Sequence, residues 1–517
     1  MALCPSSHAA GPVTLQRVQG KHILALDQGT TGTTALVLSL DGSTLGRHTQ
    51  EFPQHFPRPG WVEHEPEELW QSTLTAIAGA LASARLSGQD IAAIGITNQR
   101  ETTLLWDRQT CRPVQRAIVW QDRRTSDTCR ELRNQGHLSR VRDVTGLVLD
   151  PYFSGTKLKW LLDHEPDGRA RARGGELAFG TVDSYLVMRL AGGQSAPHVV
   201  DVTNASRTLL MNLERRVWDV EMCTLLEIPS EVLPRIVPSA GSVAETRNVP
   251  GLPDGIPISG IAGDQHAALY GQACFDVGDV KCTYGTGAFV LVNVGTRPLQ
   301  SKFGLLSTLG WQIGDEVTYA LEGSVFIAGA AVQWLRDGLG IIGSAPEVER
   351  LAGSVPSSEG VVFVPALAGL GAPYWDADAR GLITGITRGT TKAHVARATL
   401  ESIAHQVDDL VRAMRDDLGS EVRRMRVDGG AAANDLLMQL QSDLSGLSVE
   451  RPKELESTAR GAAMLAAVGA GLLQHPSGAR QMVRSDKTFA VNLGESERQS
   501  LRDRWYDAVQ RARVSSD

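Results

Sequence analysis

The sharpest alternation of apolar and polar positions lies at His22–Leu40, HILALDQGTTGTTALVLSL. An apolar run, Ile23–Leu26, ends in Asp27. Gly29–Thr34 then carries only glycine and threonine, and a second apolar run, Ala35–Leu40, leads into Asp41-Gly42. Two apolar runs of strand length around a short Gly-bearing connection predict a β-hairpin. Its tip offers hydroxyls and bare backbone N–H groups with nothing bulky, a surface that can approach an anion closely. Asp27, at the strand end, is placed to hold a hard cation through water. The alternative is a plain surface turn whose threonines only satisfy the backbone.

Beyond it the first half alternates strand and helix patterns. Glu67–Leu86 has helical spacing at Leu69, Trp70, Leu74, Ile77 and Leu81, and Ile91–Thr97 reads as a strand ending in Asn98-Gln99-Arg100-Glu101. The chain returns through Thr103–Trp106. Ala117–Trp120 is another apolar run that ends in polar residues, and Phe179–Val182 precedes Asp183, a candidate N-cap for a helix Ser184–Leu190. Such alternation predicts an α/β layered domain with ligands at strand ends.

The same hairpin pattern recurs at Asp279–Asn293, DVKCTYGTGAFVLVN, about 250 residues after the first. Two such hairpins, each opening a half, predict a duplicated domain with a cleft in which an anion is gripped from both sides. Just before the second, Ile256–Tyr270 runs as a strand into Gly263-Asp264-Gln265 and then a helix. A third glycine turn, Val427-Asp428-Gly429-Gly430, leads into a helix predicted over Ala431–Leu444, whose free N–H groups suit an anion or a nucleotide.

Composition narrows the classes. A chain of 517 residues is too long for one core, so two domains are expected. With 51 Lys+Arg against 58 Asp+Glu the net charge is −7, which excludes the basic field of a nucleic-acid scaffold. No apolar run approaches the roughly 18 residues of a membrane span. Met1–Gly20 lacks the pattern of a secretory signal and reads as a loose leader. The six cysteines are scattered without a C-x-x-C pair, as expected of reduced thiols in a cytoplasmic protein.

Motif by motif, no G-x-x-x-x-G-K-[ST] occurs, and Gly285-Thr286-Gly287 lacks the third glycine of a dinucleotide fingerprint. Tyr374–Thr387 starts like an EF-hand loop, but its twelfth position is Thr387 rather than a bidentate Glu. No H-E-x-x-H or G-x-S-x-G appears. What survives is phosphoryl transfer by positioning and a cation, with a carboxylate as base.

LDQGTT (Leu26–Thr31), GITNQRET (Gly95–Thr102), AIVWQDRRT (Ala117–Thr125), DPYFSGTK (Asp150–Lys157), GIAGDQHAALYG (Gly260–Gly271), TYGTGAF (Thr283–Phe289) and VDGGAAAND (Val427–Asp435) stand in order along the chain. Together they resemble the FGGY carbohydrate kinases of the actin/hexokinase/Hsp70 superfamily, and within them the glycerol kinases. Tyr152–His164 and Gly381–Glu401 fit that family's two signatures. The resemblance runs from about Lys21 to Leu472.

It implies an α/β fold of two duplicated ribonuclease H-like domains with an interdomain cleft. The expected divisions are a leader at 1–20, an N-terminal domain at 21–273, a C-terminal domain at 274–475 and a helical tail at 476–517. The implied reaction is ATP-dependent phosphorylation of glycerol with Mg2+, by a homo-oligomer (dimer or tetramer). Arg100, Glu101, Tyr152, Asp264 and Gln265 would bind the glycerol hydroxyls, and Trp120 and Phe289 would pack on its carbon face. Asp264 would be the general base and Asp27 would organise magnesium. Thr30, Thr31, Gly32 and Thr286 would hold the phosphates, with Gly329, Gln333, Gly430 and Asn434 along the rest of the nucleotide.

Taken singly, these residues have blander readings. Arg100-Glu101 could be an exposed ion pair of little worth, and Trp120 and Tyr152 core aromatics. Asp264 could be a helix cap, Gln333 a helix-surface residue, and Asn434 a turn or cap. His266 has no assigned task and reads as structural.

The chain also departs from the family pattern. Relatives commonly carry a Ser and, two residues on, an Arg after LDQGTT; Gly32 and Thr34 stand here, so a weaker nucleotide grip or a substitute cation is expected. Asn248–Gly255 lacks the fructose bisphosphate loop, and Trp218–Pro238 has no histidine to phosphorylate, so neither form of control is expected. The alternatives carried forward are a pentulose kinase of the same family and a non-catalytic nucleotide-dependent binding protein.

Overall fold

The computed structural model of the chain describes residues 20–376, 378–474 and 476–513. The leader therefore lies outside the described residues except at Gly20. In the first half the strands of the main sheet are β1 (His22–Gln28), β2 (Gly32–Leu38), β3 (Thr44–Glu51), β4 (Ile91–Asn98), β5 (Ala240–Glu245) and β6 (Pro257–Gly263). The second half supplies β7 (Asp279–Tyr284), β8 (Ala288–Gly295), β9 (Leu306–Ile313), β10 (Glu316–Val325), β11 (Arg424–Asp428), β12 (Val449–Pro452) and β13 (Ser485–Phe489). The helices that matter here are α1 (Pro66–Ala84), α2 (Asp264–Gly271), α3 (Gly329–Asp337), α4 (Lys392–Leu418), α5 (Asp435–Ser445), α6 (Ser457–Gly469) and α7 (Glu495–Ala512).

One sheet runs through both halves in the order β13-β12-β11-β7-β8-β10-β9-β5-β6-β4-β1-β2-β3. The duplication is visible in that order. In the first half β3, β2 and β1 are antiparallel neighbours, while β4 and β6 follow parallel to β1. In the second, β10, β8 and β7 are antiparallel neighbours, and β11 and β12 follow parallel to β7. Between the halves the sheet is held by a single pairing of β5 with β9, Ala240 opposite Ile313.

Local sequence explains the central strands. Every residue of β4, IAAIGITN, is buried, as a parallel strand covered on both faces requires. What covers one face is α6, contributed by the far end of the chain, which lies across β6, β4 and β1 and against α2. The approach is close enough to demand glycine. A Cβ at Gly461 would stand 1.8 Å from the Ala267 carbonyl oxygen, and one at Gly95 would stand 2.2 Å from that of Ala462. On the second half, α4 fills the core beneath β7, β8 and β10 with Leu400, Ile403, Val407, Leu410 and Met414.

Some local expectations shift. The apolar run Ala117–Trp120 pairs as a strand only over Ala117–Ile118. The helix after Gly430 begins at Asp435, because Gly430–Ala433 forms a tighter turn first. Asp183 does not cap its helix: Thr181 holds the cap position, while Asp183 sits in the first turn and accepts from the Asp201 N–H at 3.0 Å. The segment after 475 is more than a helical tail, since β13 extends the sheet before α7 packs Trp505 against Val364 and Ala366. Among the described residues no helix is long and apolar enough to cross a membrane.

Candidate active site

The first hairpin forms as its pattern predicts, with Asp27 opposite Thr34 and the Gly29 N–H donating to the Gly32 carbonyl at 2.9 Å across the tip. Thr30 Oγ1 accepts from the Trp120 indole N–H at 2.9 Å, tying the tip to the Ala117–Trp120 segment. Trp120 in turn meets Tyr152 edge-on, ring centres 5.7 Å apart.

The ends of β4 and β6 deliver the charged residues. Arg100 and Glu101 follow β4 and are 2 % and 1 % exposed, so the exposed ion-pair reading fails. Nor are they chiefly each other's partners, being 4.0 Å apart. Arg100 donates from Nη2 to Glu322 Oε1 at 3.1 Å and places Nε 3.1 Å from Asp264 Oδ1; its Nη2 also lies 3.4 Å from the Tyr152 hydroxyl. Glu101, at the unusual φ of +61°, accepts from Arg207 Nε at 2.6 Å. Arg207 closes the lattice by donating from Nη2 to Glu322 Oε1 at 2.9 Å. A residue held at positive φ beside a cleft is strain of the kind that functional sites retain.

Electrostatics follow from this lattice. Burial alone would raise the Glu322 carboxyl, but Arg100 and Arg207 hold it down at about 2. Burial lifts Glu101 above the usual carboxylate range against the pull of the two arginines. His266, next to Asp264 and Gln265, is kept well below its ordinary value by burial and then by Arg100, so it stays neutral; its Nε2 meets Thr308 Oγ1 at 3.1 Å. That is a structural contact.

Asp264 opens α2 and keeps 31 % of its side chain exposed, unlike Arg100, Glu101 and Glu322 around it. Its neighbour Gln265 accepts from the buried Lys281 ammonium, which also donates to Thr283 Oγ1 at 2.8 Å. Phe289, on β8, lies with its ring 5.9 Å from the Arg100 guanidinium carbon. Arg100, Glu101, Trp120, Tyr152, Asp264, Gln265 and Phe289 are thus brought together from both halves, with Thr30 attached through Trp120.

Asp27 belongs to the same region. Burial, then Glu456 and Asp264, push its carboxyl well above the usual range, and Arg47 pulls it partly back. Among the described residues no three His, Cys, Asp or Glu form a ready-made metal cage. The negative charges of Glu456 and Asp264 acting on Asp27 favour a cation beside it, and its carboxylate could hold a hard divalent ion through water. Thr34 offers no charge: its hydroxyl meets that of Thr49 at 2.8 Å. The cation that does act on Asp27 is Arg47, which bonds Glu456 at 2.5 Å.

The second hairpin tip is shaped differently. The Gly329 N–H donates to the Gly285 carbonyl and the Ala330 N–H to that of Thr286, each at 3.0 Å. The N–H groups that open α3 are therefore spent on holding the Thr286 tip. Gly329 is required because a Cβ there would stand 2.5 Å from the Gly285 oxygen. Gly429 presses equally close to Tyr284, at the end of β7, so the loop with Gly430 lies beside the tip. Gly430 is exposed, and Asn434 caps α5 by accepting from the Leu437 N–H at 2.8 Å. Gln333 stands exposed on α3. Thr31 and Gly32 complete the first tip.

Sequence reasoning missed Glu322 and Arg207. A signal existed for the first: Glu322 is the one charge inside the apolar run Val317–Val325, and a lone acid in a central strand needs a buried cation.

The N-terminal domain of the FGGY family of carbohydrate kinases matches residues 22–271, and its C-terminal domain matches 280–470. A glycerol kinase of Myxococcus xanthus is 55 % identical over 496 residues, covering 96 % of this chain and 100 % of that one. One of Alkalilimnicola ehrlichii is 55 % identical over 491 residues, covering 95 % and 98 %. Among solved structures, Plasmodium falciparum glycerol kinase with ADP superposes with a TM-score of 0.89 at 34 % identity, covering 96 % of this chain and 98 % of that one. The duplicated sheet, the two glycine tips and these full-length similarities agree, and the chain belongs to the FGGY family of carbohydrate kinases.

Proposed function

We propose that this chain transfers the terminal phosphoryl group of ATP to glycerol, giving sn-glycerol 3-phosphate and ADP. The observation that carries this reading is the buried lattice of Arg100, Glu101, Arg207 and Glu322, which fixes Arg100 3.1 Å from a partly exposed Asp264. A small triol has little apolar area, so it must be recognised through paired hydroxyls. Arg100, Tyr152 and Gln265 supply such groups, and Trp120 and Phe289 give the carbon backbone two aromatic faces.

Asp264 takes the proton from the terminal hydroxyl as that oxygen attacks phosphorus, a contribution of roughly 10²–10⁴ in rate. Arg100 keeps the carboxylate aimed, and its own position is fixed by Glu322. Thr30, Thr31 and Gly32 hold the phosphates from one half and Thr286 from the other. Gly329 supports the Thr286 tip, while Gln333, Gly430 and Asn434 border the nucleotide. A magnesium ion arriving with ATP would neutralise phosphate charge, and Asp27 would hold it through water. Exclusion of water from the cleft keeps the phosphoryl group from hydrolysis. Homo-oligomeric assembly and a cytoplasmic location belong to the same reading, and light scattering tests the first.

The deciding experiment is a coupled assay of ADP release with glycerol as sole acceptor, run beside dihydroxyacetone, xylulose and ribulose. Turnover that requires glycerol supports the reading; a preference for a pentulose, or nucleotide binding without phosphorylated product, overturns it.

A further inference from the structure

Four arginines are buried among the described residues: Arg100, Arg207, Arg460 and Arg502. Three of them meet carboxylates. Arg100 and Arg207 share Glu322, and Arg502 grips Asp408 at 2.7 and 2.9 Å. Arg460 is 4 % exposed, yet no carboxylate lies within ion-pair distance of it among the described residues. Its guanidinium meets the carbonyls of Gly42 and Met482, the latter at 3.1 Å, and Thr44 Oγ1 at 3.4 Å. Burial depresses its pKa, and the charge of Glu454, beyond ion-pair distance, offsets this only in part. A buried charge is normally paired, so one that is not calls for a counter-charge from outside the chain.

Arg460 lines a cavity of about 220 Å³ between the halves. The β2–β3 turn, through Ser43 and Thr44, forms one wall; Lys453, Arg484 and the start of α6 form the other. Lys453 is exposed and has no side-chain partner among the described residues, and Arg484 reaches Asp41 at 2.9 Å and Ser43 Oγ at 3.2 Å. Glu454 is the one acid in the lining. Ser457, the first residue of α6, also lines the cavity. The cavity is distinct from the proposed cleft: β2 separates this turn from the Thr30–Thr31 tip, and seven residues of strand span roughly 23 Å.

We propose that this cavity is a second anion site, which takes a phosphate group, either inorganic phosphate or that of a small monoester, between Arg460 and Lys453. A dianion there ties the β2–β3 turn of the first half to Lys453 and Arg484, which adjoin β12 and β13 of the second. Glu456, one residue before α6, already bonds Arg47 across the same boundary. The site is therefore placed to resist relative motion of the halves.

Calorimetric titration of the full chain with inorganic phosphate, without nucleotide or glycerol, tests this independently of the proposed reaction. Saturable binding is expected in the unaltered protein. Lys453→Gln and Arg484→Gln, both exposed, should each weaken it about threefold to tenfold, as loss of a partly screened charge contact does. Arg460→Met should abolish it, and phosphate should raise the melting temperature of the unaltered protein but not of that variant. A parallel titration with methyl phosphate separates the sources: binding assigns the site to monoesters, and failure assigns it to the free ion. No saturable phosphate binding up to about 50 mM, an affinity too weak for a built site, or equal binding in Lys453→Gln and Arg484→Gln, overturns the proposal.

Discussion

Glu322, on a strand of the second half, accepts from Arg207 of the first half at 2.9 Å, and both side chains are wholly buried. The same carboxylate holds Arg100, so one acid aligns two cations across the boundary between the halves. Removing one member of a buried ion network leaves its partners charged and unpaired, at about 3–5 kcal/mol. Glu322→Gln should therefore lower unfolding stability by that amount and raise KM for glycerol, measured by denaturant melts and steady-state kinetics. An unchanged KM would detach Glu322 from the site.

The pH dependence of that loss has a definite sign. The Glu322 carboxyl is lowered from 4.5 to about 2 in the folded state. Its contribution is complete above the unfolded value and is lost as pH falls through the folded one. The stability gap between the unaltered protein and Glu322→Gln should be flat from about pH 5 to 8 and should narrow below about 4.5. Chemical denaturation at a series of pH values reads this directly.

Asp264→Asn keeps the shape of the side chain and removes its basicity. Glycerol binding, followed by calorimetry, should persist, while kcat falls about 10²–10⁴-fold. Turnover near that of the unaltered protein would remove Asp264 as the base.

Gly329→Ala introduces a Cβ 2.5 Å from the Gly285 carbonyl oxygen and must displace the Thr286 tip. Overpacking of this kind costs about 1–3 kcal/mol. KM for ATP should rise with little change in KM for glycerol. A rise in both would mean that the tip does not act on the nucleotide alone.

Arg47 supplies the positive charge beside Asp27 where position 34 has none. It is half exposed, and its contact with Glu456 is a surface ion pair. Arg47→Met should raise KM for MgATP up to about fivefold, the effect of about 1 kcal/mol for an exposed charge, and high salt should shrink the difference. Equal KM values in the two proteins would leave this chain without a substitute for the family's arginine.

The hairpins, the strand-end position of Asp264 and the repeat between the halves were legible because each is written in a dozen contiguous residues. Arg100 and Glu101 were found, but Arg207 and Glu322, which hold them in place, were not. Pairing Arg207 with Glu322 needs contacts 115 residues apart in sequence, and no local pattern encodes them. Asp183 failed as a cap for a related reason. It carries the residue type of a cap, but the Asp201 backbone, 18 residues on, claims its carboxyl. Gly329 kept its place by the tip for a reason the sequence hides, since its N–H serves the Thr286 turn rather than a ligand.

The position of α6 dictates when this protein can finish folding. Residues 457–469 roof over β6, β4 and β1, so a nascent first half leaves the ribosome with a bare apolar floor and must wait nearly two hundred residues for its cover. During that interval the exposed face is a site for chaperone capture or for misassembly with other chains, and truncation before Ser457 should leave the first half insoluble as well as inactive.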